Sequence, residues 1–164
     1  MFADFRWKCA NYVYTSLEVF STSAYEKVLA AARSKKIQRA SIVTLKMHPR
    51  TTQKAVETAI AEMIKESDCL ATVVTAQTPQ KADVIYHAFR LNYEGQILMI
   101  GDVSSIPSIL HHRLMQDATK AIKKGEKVDM QAIDTKVNHM MRGVFVVEAF
   151  NGAGTERLAL IKFD

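Results

Sequence analysis

Short segments with the pattern of β-strands alternate along this chain with segments that have the periodicity of amphipathic helices. The predicted strands are 12–20, 40–45, 70–75 and 96–101, and the last of these contains four consecutive apolar residues. Continuous apolar runs of this length are typical of strands that are buried on both faces of a parallel sheet. The segment 12–20 has the period of a strand, although its spacing also fits a helix. The two alternating sets are Val13, Thr15, Leu17 and Val19, and Tyr12, Tyr14, Ser16 and Glu18.

Helices are predicted between these strands because apolar residues recur there at helical spacing and capping residues precede them. Ser23 and Glu26 form a capping-box pair, and Pro79 stands in the first turn after Thr78. The alternation of elements predicts an α/β fold, a three-layer sandwich with a mixed, mostly parallel sheet between helices. The predicted caps are Ser23, Thr78, Ser105 and Asp129, and the glycines predicted to end helices are Gly95, Gly125 and Gly143.

The last part of the chain has the pattern of a β-hairpin. Two apolar segments, 144–150 and 157–163, flank the turn-forming sequence 151–154, which contains two glycines. We therefore expect a C-terminal antiparallel hairpin at an edge of the sheet. A length of 164 residues fits one domain and no linker-like stretch interrupts it, so we expect a single α/β domain over 1–164.

The cysteines and histidines form no pattern typical of a metal site or a cofactor site. Cys9 and Cys69 are too few and too far apart for a disulfide framework or a zinc knuckle, and the neighbours of Cys9 predict a buried free thiol. Asp83 and His87 are four residues apart on a predicted helix, a spacing that is more often a surface pair than a pair of metal ligands. We therefore expect neither a metal nor a cofactor.

Two features of the sequence bear on location. Residues 1–8 carry charges where a signal peptide would have its apolar core, and no stretch approaches the roughly 20 apolar residues of a membrane span. From these features we expect a reduced, cytoplasmic protein without a membrane span.

The positive charge is concentrated in one interval of the chain. The formal net charge is +5, and no acidic residue occurs between Glu26 and Glu57, an interval that holds eight lysines and arginines. Clustered cations attract polyanions, so the first hypothesis is a basic, non-enzymatic protein that binds an anionic polymer, most plausibly nucleic acid. A solvated face with no partner accounts for the same charges. The residues predicted to form one patch at the amino ends of the strands are Arg33, Lys35, Lys36, Arg39, Lys123, Lys124 and Lys127.

A second hypothesis places a small enzyme or sensor at the opposite edge of the sheet. Ligands of open α/β sheets bind at the carboxyl ends of the strands, where helix N-termini favour a phosphate or a carboxylate. His48 is the candidate for proton transfer there, and Asp102 is the candidate for an orienting carboxylate. The same Ser and Thr residues also serve simply as helix caps in many proteins. The residues predicted for this small-anion site are Lys46, His48, Arg50, Thr52, Thr78 and Ser105.

A third hypothesis is a protein that assembles with copies of itself. The predicted hairpin offers strand edges, and the eight methionines suit adaptable packing at an interface. This hypothesis predicts a homo-oligomer.

Overall fold

The computed structural model describes residues 6–48, 50–152 and 155–162, with side chains described up to residue 147. Strands and helices alternate along this part of the chain, which confirms the predicted α/β class. The strands are β1 (Cys9–Thr15), β2 (Gln38–Leu45), β3 (Ala71–Thr75), β4 (Gln96–Ile100), β5 (Val144–Gly152) and β6 (Thr155–Lys162). The helices are α1 (Val19–Ser34), α2 (Gln53–Glu66), α3 (Thr78–Arg90), α4 (Ile106–Lys123) and α5 (Ala132–Met141).

The strands form one sheet in the order β2-β1-β3-β4-β5-β6. β1 to β5 are parallel to one another, and β1 lies between β2 and β3. From β1 the chain therefore moves to one side to form β2 and then crosses to the other side to form β3. All five carboxyl ends consequently lie at one edge of the sheet, which we call the carboxyl edge. The opposite edge is the amino edge.

Alternate residues of the strands build two cores, one on each face of the sheet. Val13 and Val74 face the larger core, which α2, α3, α4 and α5 cover. Tyr12 and Val73 face the smaller core, which α1 covers through Val28 and Ala32. The division follows from the period of two along a strand, which sends neighbouring side chains to opposite faces. Helix α1 therefore lies on the opposite face of the sheet from the other four helices.

The first strand and the first helix differ from the prediction in their bounds. β1 ends at Thr15, so the predicted strand 12–20 covers only its second half. Helix α1 begins at Val19, and its N-cap is Glu18 instead of Ser23, because the Glu18 carboxylate accepts hydrogen bonds from Ser21 N at 2.6 Å and Phe20 N at 3.1 Å. Ser23, the predicted cap, lies inside this helix.

The two cysteines form a disulfide, so the prediction of a buried free thiol at Cys9 is wrong. Cys9 opens β1, and Cys69 lies just before β3. These strands pair in parallel, with Asn11 opposite Thr72, and the two Cα atoms come within 6.0 Å of each other. A separation of 60 residues in sequence hides this proximity, which only the strand order creates.

The chain ends with an antiparallel pair of strands. β6 pairs with β5, with Gly152 opposite Thr155. Residues 153 and 154 of the predicted turn lie outside the described residues. In the part of the chain that the structure describes, no helix is long and apolar enough to cross a membrane.

Candidate functional site

The carboxyl edge has its topological switch point between β1 and β3, because the connection that leaves β1 runs to β2 on one side and the connection that leaves β3 runs to β4 on the other side. Ligands of open α/β sheets bind in the crevice that such a reversal creates outside the strand ends. The first turns of α1, α2, α3 and α4 all begin at this edge, since each helix follows a parallel strand. The loops after β1, β2 and β3 therefore border the crevice in which a ligand of such a sheet binds.

Hydrogen bonds join the loops at the switch point to one another. Thr15, the last residue of β1, accepts from Gln77 N at 3.1 Å and donates its hydroxyl hydrogen to the Gln80 side chain. Gln80 Nε2 in turn donates to Thr51 Oγ1 at 3.0 Å. Gln77 Oε1 accepts from His48 N at 3.0 Å. The loop after β2 is thus held by side chains that enter from α3 and its cap.

A cavity of about 530 Å³ lies between the loops that follow β1 and β2. Its charged lining is cationic, because Lys46 and Arg50 lie in it together with His48, and Leu17 and Met47 supply apolar surface. The loop folds back on itself through a hydrogen bond from Arg50 N to Met47 O at 2.9 Å. A guanidinium and an ammonium in one groove suit a carboxylate or a phosphate. The lining residues are Ser16, Leu17, Lys46, Met47, His48 and Arg50.

The other three residues predicted for the small-anion site lie elsewhere along the carboxyl edge. Thr52 is the N-cap of α2, and its hydroxyl oxygen accepts from Ala55 N at 3.2 Å. Thr78 is the first residue of α3, whose cap is Gln77. Ser105 is the N-cap of α4, and its side chain makes no capping hydrogen bond. The structure therefore gathers Lys46, His48 and Arg50 in the groove and assigns Thr52 a structural role.

The structure keeps the two catalytic candidates apart. His48 follows β2 and Asp102 follows β4, so β1 and β3 lie between them, and three strand spacings amount to about 14 Å. The Asp102 carboxylate accepts from Ser104 N at 2.9 Å. That hydrogen bond lowers the pKa of Asp102, and the charge of Lys81 lowers it further. Asp102 therefore serves the turn before α4 and does not orient His48.

Lys81 is a buried residue of the carboxyl edge that the sequence analysis missed. It lies in the first turns of α3 with 2% of its surface exposed, and its Nζ donates to Asp102 O at 2.9 Å. Burial alone would raise the pKa of Glu18, but hydrogen bonds from Ser21 and Phe20, aided by the charge of Lys81, lower it. A lysine near a helix N-terminus opposes the helix dipole. That unfavourable placement was the signal in the sequence that another group holds the Lys81 ammonium, and in the structure the Asp102 carbonyl oxygen does so.

Exposed apolar side chains stand beside the groove. Leu17 and Val19 are 86% and 85% exposed, and Phe20 is 52% exposed. We call these three residues the edge ridge. Leu17 belongs to both the ridge and the groove lining, and Met47 faces it from the loop after β2. The ridge extends to the end of β4, because a Cβ atom built on Gly101 would come within 3.0 Å of the Phe20 ring.

The cations that the sequence predicted as one patch form two separate groups. Arg33 ends α1 and Arg39 lies in β2, whereas Lys123 and Lys124 end α4. Helices α1 and α4 cover opposite faces of the sheet. The sheet therefore lies between these two groups of exposed side chains.

No family model matches this chain, and no curated protein matches it. Solved structures do share its fold. A substrate-binding protein of an ABC transporter from Aeropyrum pernix superposes with a TM-score of 0.63 at 14% identity, over 91% of this chain and 32% of that one. An extracellular ligand-binding receptor from Verminephrobacter eiseniae gives 0.59 at 16% identity, over 94% and 36%. A periplasmic substrate-binding protein from Ralstonia solanacearum gives 0.58 at 15%, over 89% and 33%. This chain thus spans about a third of the length of these proteins.

These findings correct the first hypothesis. The proteins that share the fold are named for binding substrates and ligands, and the predicted basic patch is divided between two faces. The prediction of nucleic-acid binding through Arg33, Lys35, Lys36, Arg39, Lys123, Lys124 and Lys127 is therefore wrong. The cytoplasmic location and the homo-oligomer stay predictions, although the disulfide weighs against a reducing compartment.

Proposed function

We propose that this protein binds a small molecule through an anionic group, in the groove at the carboxyl edge. The observation that carries the proposal is the convergence of Lys46, His48 and Arg50 on one cavity of about 530 Å³ beside the switch point of the sheet. A volume of this size falls in the range of roughly 300–1,000 Å³ that is typical of small-molecule sites. The names of the proteins that share the fold, which refer to substrates and ligands, support the same class of function.

The roles of the groove residues follow from their chemistry. Arg50 provides a planar fork of donors that matches a carboxylate or phosphate, and Lys46 adds a second positive charge that draws the anion in. His48 provides a ring nitrogen, and its backbone N–H is held by Gln77. The proposal includes no catalytic step, because two strands, β1 and β3, separate His48 from Asp102.

Calorimetric titration of the full chain with small anions tests this proposal. The panel contains inorganic phosphate, acetate, succinate and octanoate, with the corresponding neutral amides of the carboxylates. We expect at least one anion to bind, its neutral analogue not to bind, and Arg50→Ala or Lys46→Ala to weaken binding at least about tenfold, the scale of one lost charge-assisted contact. His48→Ala should weaken it less.

Matched controls are available on both faces of the sheet. Arg33→Ala and Lys124→Ala remove the same charge from exposed sites outside the groove. Because salt screens the interaction between distant exposed charges, these variants should keep the anion affinity within about twofold of the wild type. Equal losses in these controls would mean that the total charge of the protein attracts the anion. The absence of binding by every anion of the panel would reject the proposal.

We further propose that the protein works in an oxidising compartment, because disulfides persist there and are rare in the cytosol. The support is the Cys9–Cys69 disulfide. Alkylation of the protein in intact cells, followed by mass spectrometry, should find neither cysteine modified. Two alkylated cysteines would instead favour the cytoplasmic prediction.

A further inference from the structure

The edge ridge is unusual because it exposes three apolar side chains within four residues, next to a charged groove. Leu17 and Val19 each expose more than four-fifths of their surface, while Glu18 between them turns back to cap α1. Single exposed apolar residues are common in proteins, but contiguous ones beside a cleft mark a surface that contacts another molecule. The ridge is therefore a surface on which an apolar group of a bound molecule could be buried.

The backbone holds the ridge in this exposed position. Leu17 adopts a left-handed conformation with φ of 61°, which glycine tolerates and leucine does not favour. On one side of Leu17, Ser16 N donates to Leu45 O at 2.7 Å. On the other side, the Glu18 carboxylate is fixed by Ser21 N at 2.6 Å. The loop is thus pinned at both ends with Leu17 outward, and strained residues of this kind concentrate at ligand-contacting sites.

The groove favours a negatively charged group in a bound molecule, whereas the ridge favours an apolar group. The groove offers the cations Lys46 and Arg50, and Leu17 borders the groove and begins the ridge. An inorganic anion would fill the groove and leave the ridge in water. A neutral apolar molecule would cover the ridge and leave the cations without a partner. A molecule with an anionic head and an apolar chain satisfies both.

We infer that the ligand is an amphiphilic anion, with its carboxylate or phosphate head on Lys46 and Arg50 and its alkyl chain along Leu17, Val19 and Phe20. This inference rests on the function proposed above and specifies the ligand class of the same groove. The Phe20 ring, which packs over Gly101, forms the far end of the surface that the chain contacts. Met47, 37% exposed, faces the head end of the chain from the loop after β2.

The test is a series of straight-chain carboxylates of increasing length, titrated into the full chain below their micellar concentrations. Acetate, butanoate, hexanoate and octanoate share one head group, so their affinities isolate the contribution of the alkyl chain. We expect each added methylene to tighten binding about twofold, since a chain on an open ridge buries roughly half its surface and full burial gives about fourfold. Octanol and octyltrimethylammonium, which have the chain without the negative charge, should bind at least about tenfold more weakly than octanoate.

Leu17→Gly is the sharpest variant, because glycine suits the left-handed backbone at this position and the variant should remain folded. It removes the apolar side chain and leaves the groove cations in place. We expect it to reduce the gain in affinity per added methylene, and Val19→Ser should act in the same direction. The matched control is Lys36→Gly, which relieves a φ of 57° at a site away from the carboxyl edge and should leave the whole series unchanged.

The outcomes separate this inference from the proposed function. If short anions bind but affinity does not rise with chain length, the inference is wrong and the proposed function stands. If no anion binds, both fail. If wild-type protein dimerises in sedimentation experiments, Leu17→Gly is monomeric and octanoate does not dissociate the dimer, the ridge is an interface between copies of this chain and the inference is overturned.

Discussion

The disulfide between Cys9 and Cys69 should contribute substantially to the stability of the protein. It closes a loop of 60 residues that connects β1 to the start of β3. In the chain-entropy account, a cross-link restricts the unfolded chain, and for a loop of this length the effect is about 4 kcal/mol at 25 °C. The perturbation that tests this account is the double substitution Cys9→Ala and Cys69→Ala.

The folded state should survive this substitution, because side-chain hydrogen bonds hold the same two segments together. Asn11 Nδ2 donates to Cys69 O at 2.9 Å, and Ser67 Oγ donates to Asn11 Oδ1 at 2.7 Å. Cys69 N also donates to Ser67 Oγ at 3.2 Å. We therefore expect the circular dichroism spectrum and the anion affinity to remain unchanged, since the cost acts on the unfolded chain.

Urea unfolding of the oxidised wild type and of the double variant measures the difference. We expect the free energy of unfolding to fall by about 4 kcal/mol, equivalent to a decrease in Tm of about 12 °C for a chain of 164 residues. A reducing agent should lower the stability of the wild type by a similar amount and leave the variant unaffected. A loss below about 1 kcal/mol, with the native spectrum retained, would refute the loop-closure reasoning.

Three further perturbations test other parts of the structure. Burial lowers the pKa of His87 below the ordinary histidine value of 6.5, so the unfolded chain binds a proton there more readily and the free energy of unfolding should fall as the pH drops below about 6.5. His87→Gln should reduce this dependence of the unfolding free energy on pH, measured by urea titrations at several pH values. An unchanged pH dependence would show that other groups cause it. Arg113→Met removes the ion-pair partner of the Asp83 carboxylate, which lies 3.2 Å away and is only 6% exposed, and should cost about 3 kcal/mol of unfolding free energy. The double variant with Asp83→Asn should recover part of that loss, and equal losses would contradict the role assigned to the pair. Gly101→Ala places a Cβ in a backbone with φ of 90° and against an aromatic ring, so it should cost about 1–2 kcal/mol in thermal unfolding, more than Gly125→Ala at φ of 82° in open space.

The architecture of the chain was largely predictable because it depends on local patterns. The apolar segments 70–75 and 96–101 coincide with β3 and β4, apart from one residue at an end of each. Pro79 lies in the first turn of α3 and Ser105 is the N-cap of α4, as the capping patterns predicted. These signals act over a few residues, so no tertiary information is needed to read them. The start of α1 was mispredicted, because a glutamate cap at residue 18 left no distinctive pattern.

The candidate site was only partly predictable. Lys46, His48 and Arg50 belong to one loop, so their proximity to one another follows from the sequence, and the prediction of parallel strands placed that loop at the carboxyl edge. The ridge could not be recognised, because the alternation at Leu17 and Val19 has the pattern of a buried strand. Exposure depends on where β1 ends, and the hydrogen bonds of Ser16 and Glu18 determine that point.

The sequence by itself determined which segments are strands and helices, since hydrophobic periodicity and capping chemistry are properties of neighbouring residues. Only the tertiary structure decided which distant residues meet. The strand order joins Cys9 to Cys69, and the crossing of the chain over β1 places α1 on one face of the sheet and α4 on the other. Contacts between residues far apart in sequence depend on the packing of the whole sheet, so a local pattern of charges or cysteines does not predict them.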